Sequence, residues 1–206
     1  MIGRFFAHMF GPSPSAIGRQ MLRLADEQSA EVLAPLSKLH PTKHVEAIQY
    51  TLRLLQLDDR HAETRPFLDR ISQLDPLAAL LPCFEHAQVR KDPAFGIKAA
   101  QRALDIHAKN LTARMIMARL KLEAGRAKEV IEDTAHITPS DSELCLLRAQ
   151  ALAGVGRVGE GRKLAEAVLE LQQRRLVDFP DPQSHAEAQA LVNEAEAIVA
   201  ALSSRR

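Results

Sequence analysis

A chain of 206 residues is long enough for one sizeable domain or for one elongated array of small units, and 46% of its residues are apolar, which allows a buried core. Lys and Arg number 27 against 26 Asp and Glu, with no basic run, so the composition argues against nucleic-acid binding through phosphate neutralisation. Aromatic residues make up only 4% of the chain and Trp is absent, while Ala and Leu dominate, which favours helices over sheets.

No apolar run approaches the ~20 residues that a helix needs to span a bilayer. The opening stretch MIGRFFAHMF also lacks the length and the cleavage pattern of a secretory signal. We therefore expect a cytoplasmic protein without a transmembrane segment.

The first ten residues carry an apolar face at helical spacing. Its members are Ile2, Phe5, Phe6, Met9 and Phe10. This face could fold back on the chain's own apolar surface, dock into a partner protein, or insert shallowly at a membrane surface. The short length and the low positive charge of residues 1–10 limit the third alternative.

The rest of the chain shows a helical apolar period and no strand alternation. The predicted helices are 15–28, 30–39, 43–57, 62–74, 77–90, 93–107, 111–124, 127–137, 141–154, 157–176 and 183–202. Because the connections are short, we expect successive helices to pack as antiparallel hairpins.

Helix-capping residues punctuate these segments. Asp75, Asp92 and Asp181 each precede a proline, and Asn110 precedes an apolar run, so each is a predicted N-cap. Two serines with a glutamate three residues later, Ser140 with Glu143 and Ser184 with Glu187, are typical of capping boxes.

The stretch AGVGRVGEGR at residues 153–162 satisfies the spacing GxGxxG from Gly154 to Gly159. A dinucleotide-binding loop of this spacing follows a β-strand, because the phosphate sits where the strand turns into a helix. Here the preceding residues, SELCLLRAQALA, are helical in pattern. We therefore predict a corner between two helices, where glycine permits positive φ and close helix approach.

Two windows around glycines repeat at an offset of 31 residues. Ala118 aligns with Ala149, Gly125 with Gly156, Arg126 with Arg157, and Glu129 with Glu160. This helix-hairpin repeat resembles the tetratricopeptide family over residues 43–176. Within it, residues 46–59 and 96–110 resemble the second helix of a unit, whereas Arg148 stands where leucine is typical.

The resemblance implies an all-α fold, a right-handed α-α superhelix of antiparallel hairpins. Residues 1–42 would form an N-terminal helical segment or cap, residues 43–176 the repeats, and residues 177–206 a C-terminal capping helix. Such arrays bind a peptide or helix of a partner protein in a groove lined by the first helix of each unit. The implied groove residues are Glu85, Gln88, Thr112, Arg119, Glu123, Glu143 and Gln150.

Chemistry-bearing residues form no recognisable catalytic or metal motif. Eight histidines occur, but no His-Glu-x-x-His or Cys-x-x-Cys pair supplies metal ligands, and Cys83 and Cys145 lie in apolar helical patterns typical of buried thiols. We therefore expect neither a cofactor nor a metal, and a scaffold or adaptor rather than an enzyme.

Two other functions are compatible with the sequence. Degenerate arrays of this kind resemble segments attached to bacterial glycosyltransferases, so the chain could act in trans as an accessory subunit of such an enzyme or of a polysaccharide or secretion assembly. It could also be a self-assembling structural module. The preferred reading is a binding scaffold in a bacterial-type cytoplasm.

Overall fold

A computed structural model describes residues 12–178 and 182–204. Within these ranges the chain forms ten α-helices and three short 3-10 turns, with no β-strand. The all-α prediction is confirmed. The apolar face with Phe5, Phe6 and Phe10 and the predicted cap at Asp181 lie outside the described residues.

The helices follow the predicted segments closely, with two exceptions described below. They are α1 (Pro14–Asp26), α2 (His44–Leu57), α3 (Arg65–Leu74), α4 (Pro76–Arg90), α5 (Pro93–Ile106), α6 (Leu111–Glu123), α7 (Ala127–Asp133), α8 (Ser142–Gly154), α9 (Val158–Asp178) and α10 (Pro182–Ser203).

The chain divides into two compact units, one ending at Ile106 and the other beginning at His107. The first unit has a core of apolar side chains from α1 to α5, in which Ile17, Met21, Ile48 and Phe67 are fully buried. The second unit buries Cys145, Leu146 and Ala165 between α8, α9 and α10.

Predicted helix 30–39 is wrong, because the structure has only a 3-10 turn at Ala34–Lys38 there. Pro35 explains the difference, since it lacks an N–H donor and disfavours helical backbone at the residue before it. As a result α1 and α2 are not an antiparallel hairpin. Thr51 donates to the Gly18 carbonyl at 3.2 Å, and Asp26 at the end of α1 pairs with Arg60 beyond the end of α2, so the two helices run in the same direction.

Helices α3, α4 and α5 do form antiparallel neighbours. Thr64, just before α3, bonds His86 near the end of α4 at 2.9 Å. Arg65 at the start of α3 then pairs with Asp92 just before α5 at 3.0 Å, and Arg102 late in α5 donates to Ser72 late in α3 at 2.9 Å. The chain therefore reverses twice.

The second unit contains an antiparallel hairpin of α8 and α9. Gln172 donates to Ser142 at 2.7 Å, which joins the far part of α9 to the start of α8. Near the other end, a Cβ on Gly161 would lie 2.6 Å from the Ala149 carbonyl oxygen, so only glycine permits this approach. The predicted corner between these helices is confirmed, with Gly156 at φ +84°.

The same corner geometry recurs along the described chain. Its positive-φ residues are Gln28, Asp59, Lys91, Gly125 and Gly156, at intervals of 31, 32, 34 and 31 residues. After each, a backbone N–H reaches back to the helix: Ser29 to Leu24 O, Arg60 to Leu55 O, Asp92 to Ala87 O, Arg126 to Lys121 O, and Arg157 to Leu152 O, all at 2.8–2.9 Å. This is the left-handed C-terminal cap that ends a helix and satisfies its last carbonyls.

Three of these corners share a side-chain pair as well. Arg60 pairs with Glu63, Arg126 with Glu129, and Arg157 with Glu160, each through two guanidinium nitrogens. The arginine follows the left-handed residue, and the glutamate lies three residues later, at the start of the next helical segment. Gly125 and Gly156, which lie 31 residues apart in the sequence repeat, thus stand at corners with the same local geometry.

Predicted caps are partly confirmed. Asp75, Asp92 and Asn110 each accept the N–H of the residue three positions later, at 2.8–3.1 Å. The two capping boxes are wrong, because α8 begins at Ser142, after Ser140, and α10 begins at Pro182, before Ser184.

Helix α7 ends four residues before the prediction, and Arg148 accounts for this. Its guanidinium donates to the Ile131 carbonyl at 2.7 Å and to Thr134 Oγ1 at 3.3 Å. Thr134 in turn donates its hydroxyl to the Val130 carbonyl. Side chains thus satisfy the Val130 and Ile131 carbonyls near the end of α7, which favours an end of the helix at Asp133.

Candidate protein-binding surface

Helix α4 presents apolar side chains to solvent on one face. Leu77, Leu81 and Val89 are 37%, 56% and 55% exposed, and Glu85 lies between the last two at the same four-residue spacing. Residues four apart lie on the same side of a helix, so these side chains form one row along α4. We call Leu77, Leu81, Glu85, Gln88 and Val89 the α4 stripe.

The opposite face of α4 holds the stripe in place. Ala79, Leu80, Cys83, His86 and Ala87 are all buried against neighbouring helices. The start of α4 is fixed by the Asp75 cap and by Pro76 at the first helical position. The three exposed apolar side chains therefore lie on a helix whose other face is packed against neighbouring helices.

The polar part of the stripe is also anchored. The Glu85 carboxylate accepts a hydrogen bond from the Gln56 amide of α2 at 3.1 Å. Gln88 lies on the same exposed side of α4 and also forms an interaction within the chain. The stripe therefore combines apolar contact area with one oriented negative charge.

All seven residues that the family resemblance assigns to a groove are exposed. Glu85 and Gln88 lie on α4, Thr112, Arg119 and Glu123 on α6, and Glu143 and Gln150 on α8. Spacings of seven residues place Thr112 with Arg119, and Glu143 with Gln150, on common helix faces. Their role in binding stays a prediction.

Sequence reasoning missed the apolar members of the α4 stripe. Leu77, Leu81 and Val89 belong to a segment, PLAALLPCFEHAQVR, with apolar residues around its whole circumference. Such a pattern is typical of a fully buried helix, and only the packing shows which side is covered.

Two clefts lie in the second unit. One, of about 360 Å³, is lined mainly by small or aliphatic side chains: Gln150, Ala153, Glu194, Ala197, Ile198, Ala201 and Leu202. The other, of about 290 Å³, is bordered by Gln172, Arg175 and Glu187 among others. The first places the predicted groove residue Gln150 beside an apolar depression between α8 and α10.

A buried polar cluster stands behind the α4 stripe. The Thr64 hydroxyl donates to the His61 carbonyl at 2.8 Å, so its oxygen accepts the Nδ1–H of His86 at 2.9 Å. The His86 ring meets Phe95 edge-on, and the Arg65 guanidinium lies 3.8 Å from the centre of the Phe95 ring. The arrangement holds a neutral imidazole in a fixed orientation and joins α3, α4 and α5.

The protonation states of His86 and Asp92 depend on burial and on the positive charge of Arg65. Burial, and then the positive charges of Arg65 and Arg90, lower the pKa of His86. Burial alone would raise the pKa of Asp92, but the Phe95 N–H and the Arg65 guanidinium outweigh it and lower that pKa. His86 is therefore neutral and Asp92 ionised at neutral pH.

We expect the free energy of unfolding to fall as the pH drops below about 6.5, because the unfolded chain binds a proton at His86 that the folded chain resists. The stability from neutral His86 is complete above pH 6.5 and is lost as the pH falls towards the lowered pKa. Urea unfolding at several pH values measures this slope. His86→Gln should flatten it and the exposed control His136→Gln should not; equal slopes in both variants would contradict the assignment.

The two cysteines are both free and buried. Burial raises the pKa of Cys83 to about 12 and that of Cys145 to about 11, so both are thiols at neutral pH. Cys145 donates its S–H to the Thr138 carbonyl at 3.1 Å. These properties are those of structural thiols. Among the described residues, no group of three or more His, Cys, Asp or Glu side chains is placed to hold a metal ion.

In the part of the chain that the structure describes, no helix combines the length and the apolar character required for a membrane span. The chain matches no protein-family model and no curated protein.

Proposed function

We propose that this chain is a non-enzymatic protein-binding scaffold made of tetratricopeptide-like helix hairpins, and that the α4 stripe is part of its partner-binding surface. The recurrence of the left-handed corner supports the repeat assignment, since its intervals of 31–34 residues match a unit of about 34 residues. A helix precedes each corner and a helical segment follows it.

The corners define a register for the units. The helices that precede them are α1, α2, α4, α6 and α8, which take the place of first helices. In this register residues 46–59 belong to a first helix, whereas the resemblance to tetratricopeptide repeats, taken from the sequence, suggests the second helix of a unit. In this register all seven predicted groove residues lie on first helices, as the family resemblance implies.

The observation that carries the proposal is the exposure of the α4 stripe. Burying a fully exposed leucine side chain contributes roughly 1.5–3 kcal/mol. Leu77 and Leu81 are 37% and 56% exposed, so covering both contributes about as much as burying one fully exposed leucine. An amphipathic helix or an extended peptide with apolar residues at matching spacing would cover them. The Glu85 carboxylate, held by Gln56, would orient a donor of the partner.

We expect the double variant Leu77→Arg, Leu81→Arg to lose at least about tenfold in affinity for that partner, since covering the two partly exposed leucines together corresponds to such a factor. The measurement is affinity capture with the tagged full-length chain, followed by titration of each captured protein. Val177→Arg is the matched control, because Val177 is 82% exposed and lies outside the stripe. Proteins that bind the wild type and the control but not the double variant support the proposal. If all three chains capture the same proteins equally, the stripe is not the binding surface.

The two alternative functions each have a separate test. An accessory role in trans on a bacterial glycosyltransferase, or on a polysaccharide or secretion assembly, requires that the enzyme or assembly co-purify with the chain. A self-assembling module requires that the mass measured by light scattering rise with concentration. We place the scaffold in a bacterial-type cytoplasm, where buried thiols such as Cys83 stay reduced.

A further inference from the structure

We propose that the partner segment that covers the α4 stripe carries carboxylates beside its apolar residues, and that Arg19 of α1 and Arg53 of α2 bind them. This inference rests on the proposed function, because it concerns the same docking surface. It adds the chemistry of the partner, an extended peptide segment with an apolar residue for Leu81 and acidic residues for the two arginines.

The exposed sides of α1, α2 and α4 form one continuous surface in the first unit. Arg19 Nη1 lies 3.5 Å from the Tyr50 hydroxyl, which joins α1 to α2. Gln56, six residues after Tyr50, donates to the Glu85 carboxylate of α4 at 3.1 Å. Arg53 is exposed and lies three residues from each of these two contact residues of α2, so its side chain stands between them.

Arg19 and Arg53 stand at nearly the same height along their helices. Helices α1 and α2 run in the same direction, and Thr51 donates to the Gly18 carbonyl at 3.2 Å. The residue after Gly18 is therefore level with about residue 52 of α2. This places the two guanidinium groups side by side on neighbouring helices.

Leu81 stands at the same height on α4. Helices α2 and α4 run in the same direction, because α3 packs against both in the opposite sense. Since Gln56 and Glu85 are in contact, Leu81, four residues before Glu85, is also level with about residue 52. Arg19, Arg53 and Leu81 therefore form a row across three helices.

The spacing of this row predicts a pattern in the partner. Neighbouring helices lie about 8–10 Å apart, and an extended chain rises about 3.3 Å per residue. A segment that crosses the helices thus meets the two arginines and Leu81 at intervals of about three residues. Its acidic residues and its apolar residue together span about seven positions.

The two arginines are available to carboxylates of a partner. Both side chains are exposed, and among the residues that the structure describes neither forms an ion pair. The neighbouring Arg23 of α1, by contrast, already pairs with Glu27 at 3.7 Å. Carboxylates of a bound segment would therefore compete with water alone at Arg19 and Arg53, apart from the long contact of Arg19 with Tyr50.

Charges on either side of the row favour a short peptide over a broad anionic surface. Glu46 is exposed on α2 two turns before Arg53, and Glu85 is exposed on α4 one turn after Leu81. A nucleic-acid backbone or an anionic lipid surface would bring its phosphates against these two carboxylates as well. A single extended segment passes between them.

The test uses random 12-residue peptides displayed on phage. They are panned against the tagged full-length chain and, in parallel, against the variant Leu77→Arg, Leu81→Arg. We expect the peptides that only the wild type enriches to contain more Asp and Glu than Lys and Arg. An acidic residue should recur about six positions from an apolar one.

Synthetic copies of the enriched peptides are then titrated by fluorescence anisotropy. We expect the variant Arg19→Glu, Arg53→Glu to bind them about tenfold more weakly than the wild type at low ionic strength, and added salt to reduce the difference. The matched control is Lys128→Glu, Lys163→Glu, which changes the net charge equally at exposed positions of the second unit. It should bind as the wild type does, and circular dichroism checks that both variants are folded.

The failures of this inference and of the proposed function are distinguishable. Enriched peptides without an acidic excess, or equal affinity for the wild type and for Arg19→Glu, Arg53→Glu, would overturn the inference and leave the α4 stripe as a binding surface. If the wild type enriches no peptide over Leu77→Arg, Leu81→Arg, the proposed function fails as well. Vesicles of phosphatidylglycerol that sediment with the wild type but not with Arg19→Glu, Arg53→Glu would assign the arginines to a lipid surface and would also overturn the inference.

Discussion

Replacing Phe67 by Ala is expected to lower the free energy of unfolding by about 3–5 kcal/mol. Phe67 is fully buried and lies on α3 in the core of the first unit. Removal of its ring deletes a large apolar surface and leaves a cavity, because close-packed neighbours relax only in part. Chemical denaturation followed by circular dichroism measures the change.

Phe84→Ala is the matched control for this prediction. Phe84 lies on α4 but is only half-buried, so part of its ring is in contact with water in the folded chain. The same substitution should therefore have a clearly smaller effect there. Equal losses at the two positions would show that the core of the first unit is not packed around Phe67 as described.

Replacing Gly161 by Ala is expected to destabilise the second unit by about 1–3 kcal/mol. The added Cβ would lie 2.6 Å from the Ala149 carbonyl oxygen, and a backbone atom inside α8 moves only if the two helices separate. The added methyl also meets Leu202 of α10 at 3.4 Å. The variant is compared with the wild type by urea unfolding.

Gly159→Ala provides a control two residues earlier in the same helix. No atom lies within 4 Å of a Cβ at Gly159, so the substitution introduces no clash. Alanine in a helix is favoured over glycine by roughly 0.5–1 kcal/mol, and we expect Gly159→Ala to stabilise the chain by up to that amount. The account of helix packing at Gly161 is contradicted if the two substitutions change stability in the same direction.

The sequence predicted the helices well because their signals are local. Asp75, Asp92 and Asn110 cap their helices with a single side chain, and a single side chain can be recognised without knowledge of the fold. The segment at residues 30–39 shows the limit of this reasoning. Its apolar spacing suggests a helix, but Pro35 removes a donor in the middle and the chain forms a short turn.

The recurring corner was only partly predictable. At Gly125 and Gly156 glycine marks the left-handed residue, and the sequence repeat was found there. Gln28, Asp59 and Lys91 adopt the same positive φ without that marker. Residues other than glycine rarely adopt this conformation, and of these three only Asp59 is of a type that is enriched in it.

The sequence predicts only the polar residues of the candidate binding surface. Glu85 and Gln88 were assigned from the family resemblance, and the structure shows both on an exposed face. Leu77 and Leu81 were not assigned, since an apolar residue in an apolar helix is expected to be buried. In the folded chain the face of α4 that carries Cys83 and His86 packs against neighbouring helices. These leucines, which lie on the other face, therefore remain in contact with water.

Site-specific photo-crosslinking tests the central claim, that the α4 stripe binds a partner protein, most directly. A photoreactive amino acid replaces Leu81 in one full-length chain and Val177 in another, and both are illuminated in cells that produce the partner. We expect the chain modified at position 81 to form a discrete adduct with one other protein, identified by mass spectrometry, and the chain modified at position 177 to form none with it. Absence of any adduct with another protein at position 81, or the same adduct at both positions, would contradict the account.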